Sequence, residues 1–472
     1  MSPQEVVRDL PRPDPTALQS GIAALAARFG NRLVTSQAVR DQHAHTTTWL
    51  PRQPPDAVVM VQHTADIQDV VRICAEHRIP VIAFGAGTSL EGQVNAPGGG
   101  VCVDLRDMNR VLAVHADDLD CVVEPGVTRK ALNDHLRDSG LFFPLDPGAD
   151  ASIGGMASTR ASGTNAVRYG TMGDSVLSLK VVRGNGEIIT TGHRARKSSA
   201  GYDLTHLFIG AEGTLGIISE LTIRLRGIPE MIAAASCSFA SIEDACRATI
   251  LAIQSGIPLA RIEMLNSLQV RACNAYSGLS LPETPLLLLE FHGSQIEVEA
   301  QSAGFSEIAK DCGGSAFVWA TRPEDRTRLW QARHDAYHAA CRLRPGTVGT
   351  STDVCVPISR LAECVAATEQ DLEAIGLVSP IVGHVGDGNF HVLLLCDPAD
   401  RDERARAEGF LDRLVTRALA MDGTCTGEHG IGQGKQKYLR RELGSSAIEA
   451  MRALKLALDP QNLFNPGKIL PP

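Results

Sequence analysis

Between Pro147 and Asn165 the chain carries almost no bulky side chains. It reads Pro147-Gly148-Ala149-Asp150-Ala151-Ser152-Ile153-Gly154-Gly155-Met156-Ala157-Ser158, then Ala161-Ser162-Gly163-Thr164-Asn165. So many consecutive small residues suit a backbone pressed against a large flat ligand, with hydroxyls left for its polar edges. A plain loop explains one such run, but there are three. Gly85-Ala86-Gly87-Thr88-Ser89 follows the apolar stretch Val81-Ile82-Ala83-Phe84, and Gly210-Ala211-Glu212-Gly213-Thr214-Leu215-Gly216-Ile217-Ile218 is the third. Glycine lets successive backbone N–H groups close on an anion such as a phosphate. A Rossmann site would need Gly in place of Leu90 and a helix opening there, which Gly92 and Gly98-Gly99-Gly100 prevent. A P-loop would need Gly-Lys-Ser/Thr, which is absent.

At 472 residues the chain is too long for one core. Val58–Val61, a helix from Ala65 to His77 capped by Thr64, and Val81–Phe84 form a βαβ unit, with later strands at 100–104, 121–124, 177–183 and 217–225. A boundary falls near Gly227-Ile228-Pro229. Beyond it, helices alternate with strands, as in an antiparallel sheet carrying helices on one side. One long helix is expected over Pro323–Leu343. The net charge of −9 argues against nucleic acid as main partner. Twelve cysteines without a CxxC pair read as reduced thiols of a cytoplasmic protein. No run of eighteen apolar residues suggests a membrane span. Met1–Gly30 lacks the basic start and apolar stretch of a secretory signal.

A second constellation lies near the C-terminus. His384 and His391 flank the turn Gly386-Asp387-Gly388-Asn389, between the apolar stretches Ile381-Val382 and Val392–Leu395. If Val385 pairs with Phe390, the two imidazoles stand opposite each other, with Cβ atoms about 5 Å apart. Two such rings can grip one metal ion. Thr426-Gly427-Glu428-His429-Gly430 adds a carboxylate beside another histidine. Alone, the pair reads equally well as a surface hairpin, and Arg333 on its amphipathic helix as a solvated charge.

These motifs carry a resemblance. Gly85–Gly92, Pro147–Gly155, Ala161–Thr171 and Glu212–Ile217 resemble the FAD-binding domain of the vanillyl-alcohol-oxidase-type flavoproteins. Gly383–His391, Thr426–Gly432 and Asn465–Lys468 look like the D-lactate dehydrogenase (cytochrome) branch, whose relatives include glycolate oxidase FAD subunits and D-2-hydroxyglutarate dehydrogenases. The resemblance covers residues 50–472. It implies an α+β protein with a two-subdomain PCMH-type FAD-binding domain and an antiparallel-sheet substrate or cap domain. The expected division is a helical segment 1–50, the FAD domain 51–227, a cap domain 228–425 of the FAD-linked oxidase C-terminal type, and a segment 426–472 returning to the FAD domain.

The resemblance also implies roles. Gly85, Gly87, Thr88 and Ser89 match the loop around the FAD pyrophosphate. Pro147, Gly148, Ser152, Gly154, Gly155, Ser158 and Gly163 match the flavin and ribityl lining. Glu212, Gly213 and Ile217 match the adenine end, and Asn465 the returning tail. The first loop offers Thr88 and Ser89 where covalent members carry His or Cys, so non-covalent FAD is expected. His384, His391 and Glu428 match ligands of a divalent Zn, Mn or Fe ion. His429 matches the catalytic base, and Arg333 the arginine that pairs with the substrate carboxylate. The implied reaction is oxidation of a D-2-hydroxy acid, with the C2 hydride passing to flavin N5 and electrons leaving to cytochrome c, a quinone or an electron-transfer flavoprotein. Contact with a membrane is expected only at the periphery, through that acceptor. Oligomeric state stays open, a homodimer being one option.

Two departures bear on substrate. Hydroxyglutarate-specific relatives carry a lysine where Ser351 stands and a polar Asn where Leu393 stands. Losing the charge partner of a buried carboxylate costs several kcal/mol. D-lactate and longer aliphatic D-2-hydroxy acids are therefore favoured, with glycolate or D-2-hydroxyglutarate as alternatives. A metal hydrolase using only the His hairpin leaves the Gly-rich loops without purpose. A non-catalytic flavin subunit leaves His384, His391, Glu428, His429 and Arg333 without purpose.

Overall fold

The computed structural model describes residues 10–320 and 322–471. The chain divides into two compact units. Of the described residues, those within 1–162, 171–228 and 428–472 form one, and those within 163–170 and 229–427 the other.

Among its described residues the first unit holds two larger sheets and a two-stranded one, Leu141–Phe142 with Arg226–Gly227. In the smaller of the two larger sheets, Ala57–Met60, Val101–Asp104 and Val81–Phe84 run parallel, with Leu33–Val34 antiparallel at the edge. Strands of this kind are apolar on both faces because both are covered. The crossover helix Thr64–His77 turns Ile67, Val70, Val71 and Cys74 inward at helical spacing. The second sheet is antiparallel, in the order Val111–His115, Asp120–Val123, Ile217–Arg224, Val176–Val182, Ile188–Thr190. The C-terminal tail joins the sheet of Val81–Phe84. Val81 N–H donates to Leu463 O, and Asn465 N–H donates to Val81 O, each at 2.8 Å. The small-residue run contains a short helix, Ile153–Thr159, which sequence patterning did not reveal.

The second unit is an eight-stranded sheet. Its order is Val318–Ala320, Met231–Ser238, Leu286–Gly293, Arg261–Leu265, Ile381–Gly383, Asn389–Cys396, Val348–Ser351, with Val354–Cys355 also paired to Asn389–Cys396. Every pairing is antiparallel. Helices lie on both faces. Val270, Leu329, Trp330 and Ala339 pack on the face of Leu265, Leu286 and Leu288. On the opposite face, Cys246 meets Met264, the cross-strand partner of Leu287. The cause is visible in Leu286-Leu287-Leu288-Leu289, which is apolar on both sides and needs two covers.

Residues 163–170 sit within this unit because polar contacts hold them there. Arg261 Nε–H donates to Asn165 Oδ1 at 2.8 Å, and Tyr169 OH meets His292 Nδ1 at 2.7 Å. Gly163 therefore lies apart from the rest of the small-residue run in the division of the chain. The helix expected over 323–343 is two helices, Pro323–His334 and Ala336–Leu343. Asp335, at ψ 2°, breaks the helical path just after Arg333.

Candidate active site

In the first unit the Gly-rich loops meet through small groups. A Cβ on Gly85 would run into Ser152 Oγ, so glycine is what lets the two loops touch. Ser152 caps the helix Ile153–Thr159, its Oγ accepting from Gly155 N–H at 3.3 Å. Ser158 Oγ–H donates to Gly154 O at 2.8 Å. Thr88 and Gly148 are exposed, Gly87 and Pro147 partly so, and nothing lies within contact of Gly148. Ser89 Oγ is buried with no hydrogen-bond partner among the described residues. A buried hydroxyl without a partner is costly, and a polar ligand group removes that cost. Backbone bare of side chains plus an orphan donor fits the dinucleotide FAD.

Glu212 and Asn465 are buried and hydrogen-bonded to one another's surroundings. Asn465 Nδ2 donates to Glu212 O at 2.8 Å and to Gln93 O at 3.0 Å. The Glu212 carboxylate does not point away to a ligand. It accepts from Ile431 N–H at 2.7 Å and Gly432 N–H at 2.8 Å. Burial raises its pKa to about 7 against those amides, and burial lowers that of nearby Lys468 to about 7. Gly213 and Ile217 lie just beyond, Ile217 opening the central strand. His429 is in this unit too. Its carbonyl accepts from Gln93 Nε2 at 2.8 Å, and its Nδ1 lies 4.0 Å from Glu91 Oε1. Glu428 precedes it as the first residue of the returning segment.

In the second unit the two hairpin histidines come together by a route other than direct pairing. The register places Val382, not His384, opposite His391. The strand ends at Gly383, and Val385–Asp387 coil into a 3₁₀ turn. The turn thus takes up residues expected in the strand, and Val385 and Phe390 do not pair. The rings still lie 5.3 Å apart by centroid, nearly perpendicular at 82°. His391 Nδ1–H donates to Thr352 O at 2.8 Å, and His384 Nδ1–H donates to Glu263 Oε1 at 2.7 Å. Both Nδ1 atoms face acceptors, so the lone pair of each neutral ring is on Nε2. A histidine poised for a metal is held in this way, its outer nitrogen donating to a carboxylate or carbonyl. The donor set therefore fits a divalent ion.

Glu263 is the residue sequence reasoning missed. It lies on Arg261–Leu265 and is fully buried. Its Oε2 accepts from Arg333 Nε at 2.8 Å, with Arg333 Nη2 at 2.6 Å from the same oxygen. Burial alone would raise the Glu263 pKa, but Arg333 and His384 outweigh it and hold the carboxyl below its ordinary value. Arg333 is buried at 8 % exposure, so its reading as a solvated surface charge fails. A clue existed: Glu263 is an acid among Ile262, Met264 and Leu265, and such an acid is buried only when paired. Behind His391, Asp353 accepts from Asn389 Nδ2 and Thr426 Oγ1, each at 2.8 Å. Ser351 and Leu393, the two departures that bear on substrate, are cross-strand partners.

Comparison with known proteins bears on these features. Residues 55–192 match the family model for an FAD binding domain, and residues 228–469 that for FAD linked oxidases, C-terminal domain. A probable mitochondrial D-lactate dehydrogenase of Danio rerio is 54 % identical over 92 % of this chain and 88 % of its own length. The chain belongs to the family of the FAD-linked D-lactate dehydrogenases. A D-lactate dehydrogenase (cytochrome) of Arabidopsis thaliana is 46 % identical over 89 % of this chain and 74 % of its own. A glycolate oxidase subunit of Bacillus subtilis is 34 % identical over 92 % and 93 %. The structure of a p-cresol methylhydroxylase superposes with a TM-score of 0.80 over 98 % of both chains at 18 % identity, which shows the shared fold. The α+β, PCMH-type architecture and FAD binding belong to the chain as a member of this flavoprotein family, and its class is that of the oxidoreductases. Among the described residues no helix is long and apolar enough to cross a membrane.

Proposed function

We propose that the protein oxidises D-lactate to pyruvate and delivers the electrons to a cytochrome-type acceptor. The observation that carries the reading is the Glu263 carboxylate shared by His384 and Arg333. It joins a potential metal ligand to a cation suited to a carboxylate.

Bound FAD supplies the two-electron acceptor for the C2 hydride. His384 and His391, with Glu428 read as the third ligand, would hold a divalent ion, and such an ion would supply a Lewis acid for the substrate hydroxyl. Arg333 holds the substrate carboxylate with the N–H groups that Glu263 leaves, and fixes the orientation of C2. His429 takes the hydroxyl proton on a ring nitrogen, since an imidazole suits general-base work near neutral pH. Gly85, Gly87, Thr88, Ser89, Pro147, Gly148, Ser152, Gly154, Gly155, Ser158 and Gly163 are read as the FAD cradle. Ser351 and Leu393 supply neither a cation nor a side-chain amide for a second carboxylate, which favours D-lactate over a dicarboxylate. The twelve free thiols support a reducing compartment such as the cytoplasm, with any membrane contact made through the acceptor.

Anaerobic titration of the holoenzyme with both enantiomers of lactate, 2-hydroxyglutarate and glycolate tests the reading. Bleaching of the flavin by D-lactate at the lowest concentration supports it, and preference for another acid removes it. His429→Ala should keep FAD and slow bleaching by roughly 10²–10⁴-fold. Near-normal bleaching in that variant would take His429 out of the mechanism.

A further inference from the structure

The segment carrying His429 hangs on buried side chains of the same unit. We propose that Glu212 is a positioning residue for His429: its carboxylate, together with Gln93, holds the backbone of residues 429–432 and so sets where the imidazole stands. This rests on the reading of His429 as the base.

Three hydrogen bonds carry the proposal. Gln93 Nε2 donates to His429 O at 2.8 Å, and the amides of Ile431 and Gly432 donate to the two carboxylate oxygens of Glu212 at 2.7 and 2.8 Å. Both Glu212 and Gln93 are buried, at 5 % exposure each. Burying a carboxylate is costly unless hydrogen bonds compensate, and an apolar residue would pack there more cheaply. Here the compensating amides come from the His429 segment. The segment is shaped for this contact. Gly430 has φ +79°, and a Cβ on it would run into Glu212 Oε1. Successive amides converging on one anion form a nest. The anion here belongs to the chain itself.

The clamp is hydrogen-bonded at its other end too. Asn465 Nδ2 ties the Glu212 and Gln93 carbonyls together, and Lys468 Nζ donates to Asn95 O at 2.7 Å. Gln433 N–H donates to Glu91 O at 2.7 Å, joining the segment to the end of the first Gly-rich loop. A general base must lie within hydrogen-bond reach of its proton, so a displacement of about 1 Å slows proton transfer while leaving substrate affinity in place.

The test is rapid anaerobic reduction of Glu212→Gln holoenzyme by D-lactate. The amide keeps the shape but offers one acceptor where the carboxylate offered two. Flavin absorbance per protein and KM should stay within about twofold of the parent, while the reduction rate falls about ten- to a hundredfold. A parental rate overturns the proposal. So does loss of flavin with an unchanged rate per bound flavin, which would assign Glu212 to the cofactor. If Glu212→Gln yields no soluble protein, the same readings on Gln93→Leu decide. His429→Ala run alongside separates the two claims. If that variant bleaches normally, the assignment of the base fails. If it is slow while Glu212→Gln is not, only the clamp fails.

Discussion

Arg333 and His384 are held by opposite oxygens of one carboxylate: Glu263 Oε2 takes the guanidinium and Oε1 takes the imidazole. The two side chains come from elements 51 residues apart in sequence, a helix end and a hairpin, yet neither can turn without disturbing the other.

Removing the charge of Glu263 should therefore disturb both. In Glu263→Gln the amide no longer fixes the His384 tautomer, and affinity for a divalent ion should fall about 10- to 100-fold. Metal content per protein after dialysis against a chelator measures this. An unchanged complement would show that Glu263 does not support the ion.

Arg333→Lys should raise KM for D-lactate by about tenfold or more. An ammonium is a point charge and cannot grip Glu263 and a second carboxylate through a fixed fork. Steady-state dye reduction gives KM, and a parental value would take Arg333 out of substrate binding.

Substrate choice should respond at the strand pair joining Ser351 to Leu393. The double variant Ser351→Lys, Leu393→Asn supplies a cation and a polar amide where there are none. We expect the ratio of kcat/KM for D-2-hydroxyglutarate over D-lactate to rise at least about tenfold, the worth of one charged hydrogen bond. An unchanged ratio in a folded variant would place the second carboxylate elsewhere.

Gly85→Ala should lower flavin occupancy. The new methyl must displace Ser152 Oγ, which caps the helix Ile153–Thr159 and joins the two loops. Visible absorbance of the purified variant reads this directly, and full occupancy would show that the loops tolerate separation.

Acid stability should depend on Asp104. Burial works against its charge, but hydrogen bonds from His43 and Arg106 outweigh this and hold its pKa at about 2, below the ordinary 3.8. A depressed folded pKa means that the folded state binds fewer protons than the unfolded one. The stabilisation is thus complete above 3.8 and is lost as pH falls towards about 2. It amounts to about 2 kcal/mol. Denaturation midpoints of the parent and Asp104→Asn should differ at neutral pH and converge in acid. A gap independent of pH would contradict this.

Much of the molecule was legible in one dimension. The βαβ start, the three Gly-rich loops and the hairpin around Gly386–Asn389 each show in a local pattern of apolar, small and turn-forming residues. Those patterns depend on neighbours along the chain, and so survive without tertiary context. The register of the hairpin was less legible. A 3₁₀ turn and a tighter strand pair share the same residues, and the choice between them depends on packing.

By itself the sequence determined which residues carry chemistry: small residues for a broad ligand, histidines and carboxylates for an ion, and Ser351 and Leu393 in place of a second cation and amide. Tertiary structure alone decided how they are held. Glu263 joins Arg333 to His384 across 70 and 121 residues, and Glu212 reaches 219 residues ahead to the His429 segment. A buried charge must find its partner in space, and the distance along the chain carries no signal of which partner that is.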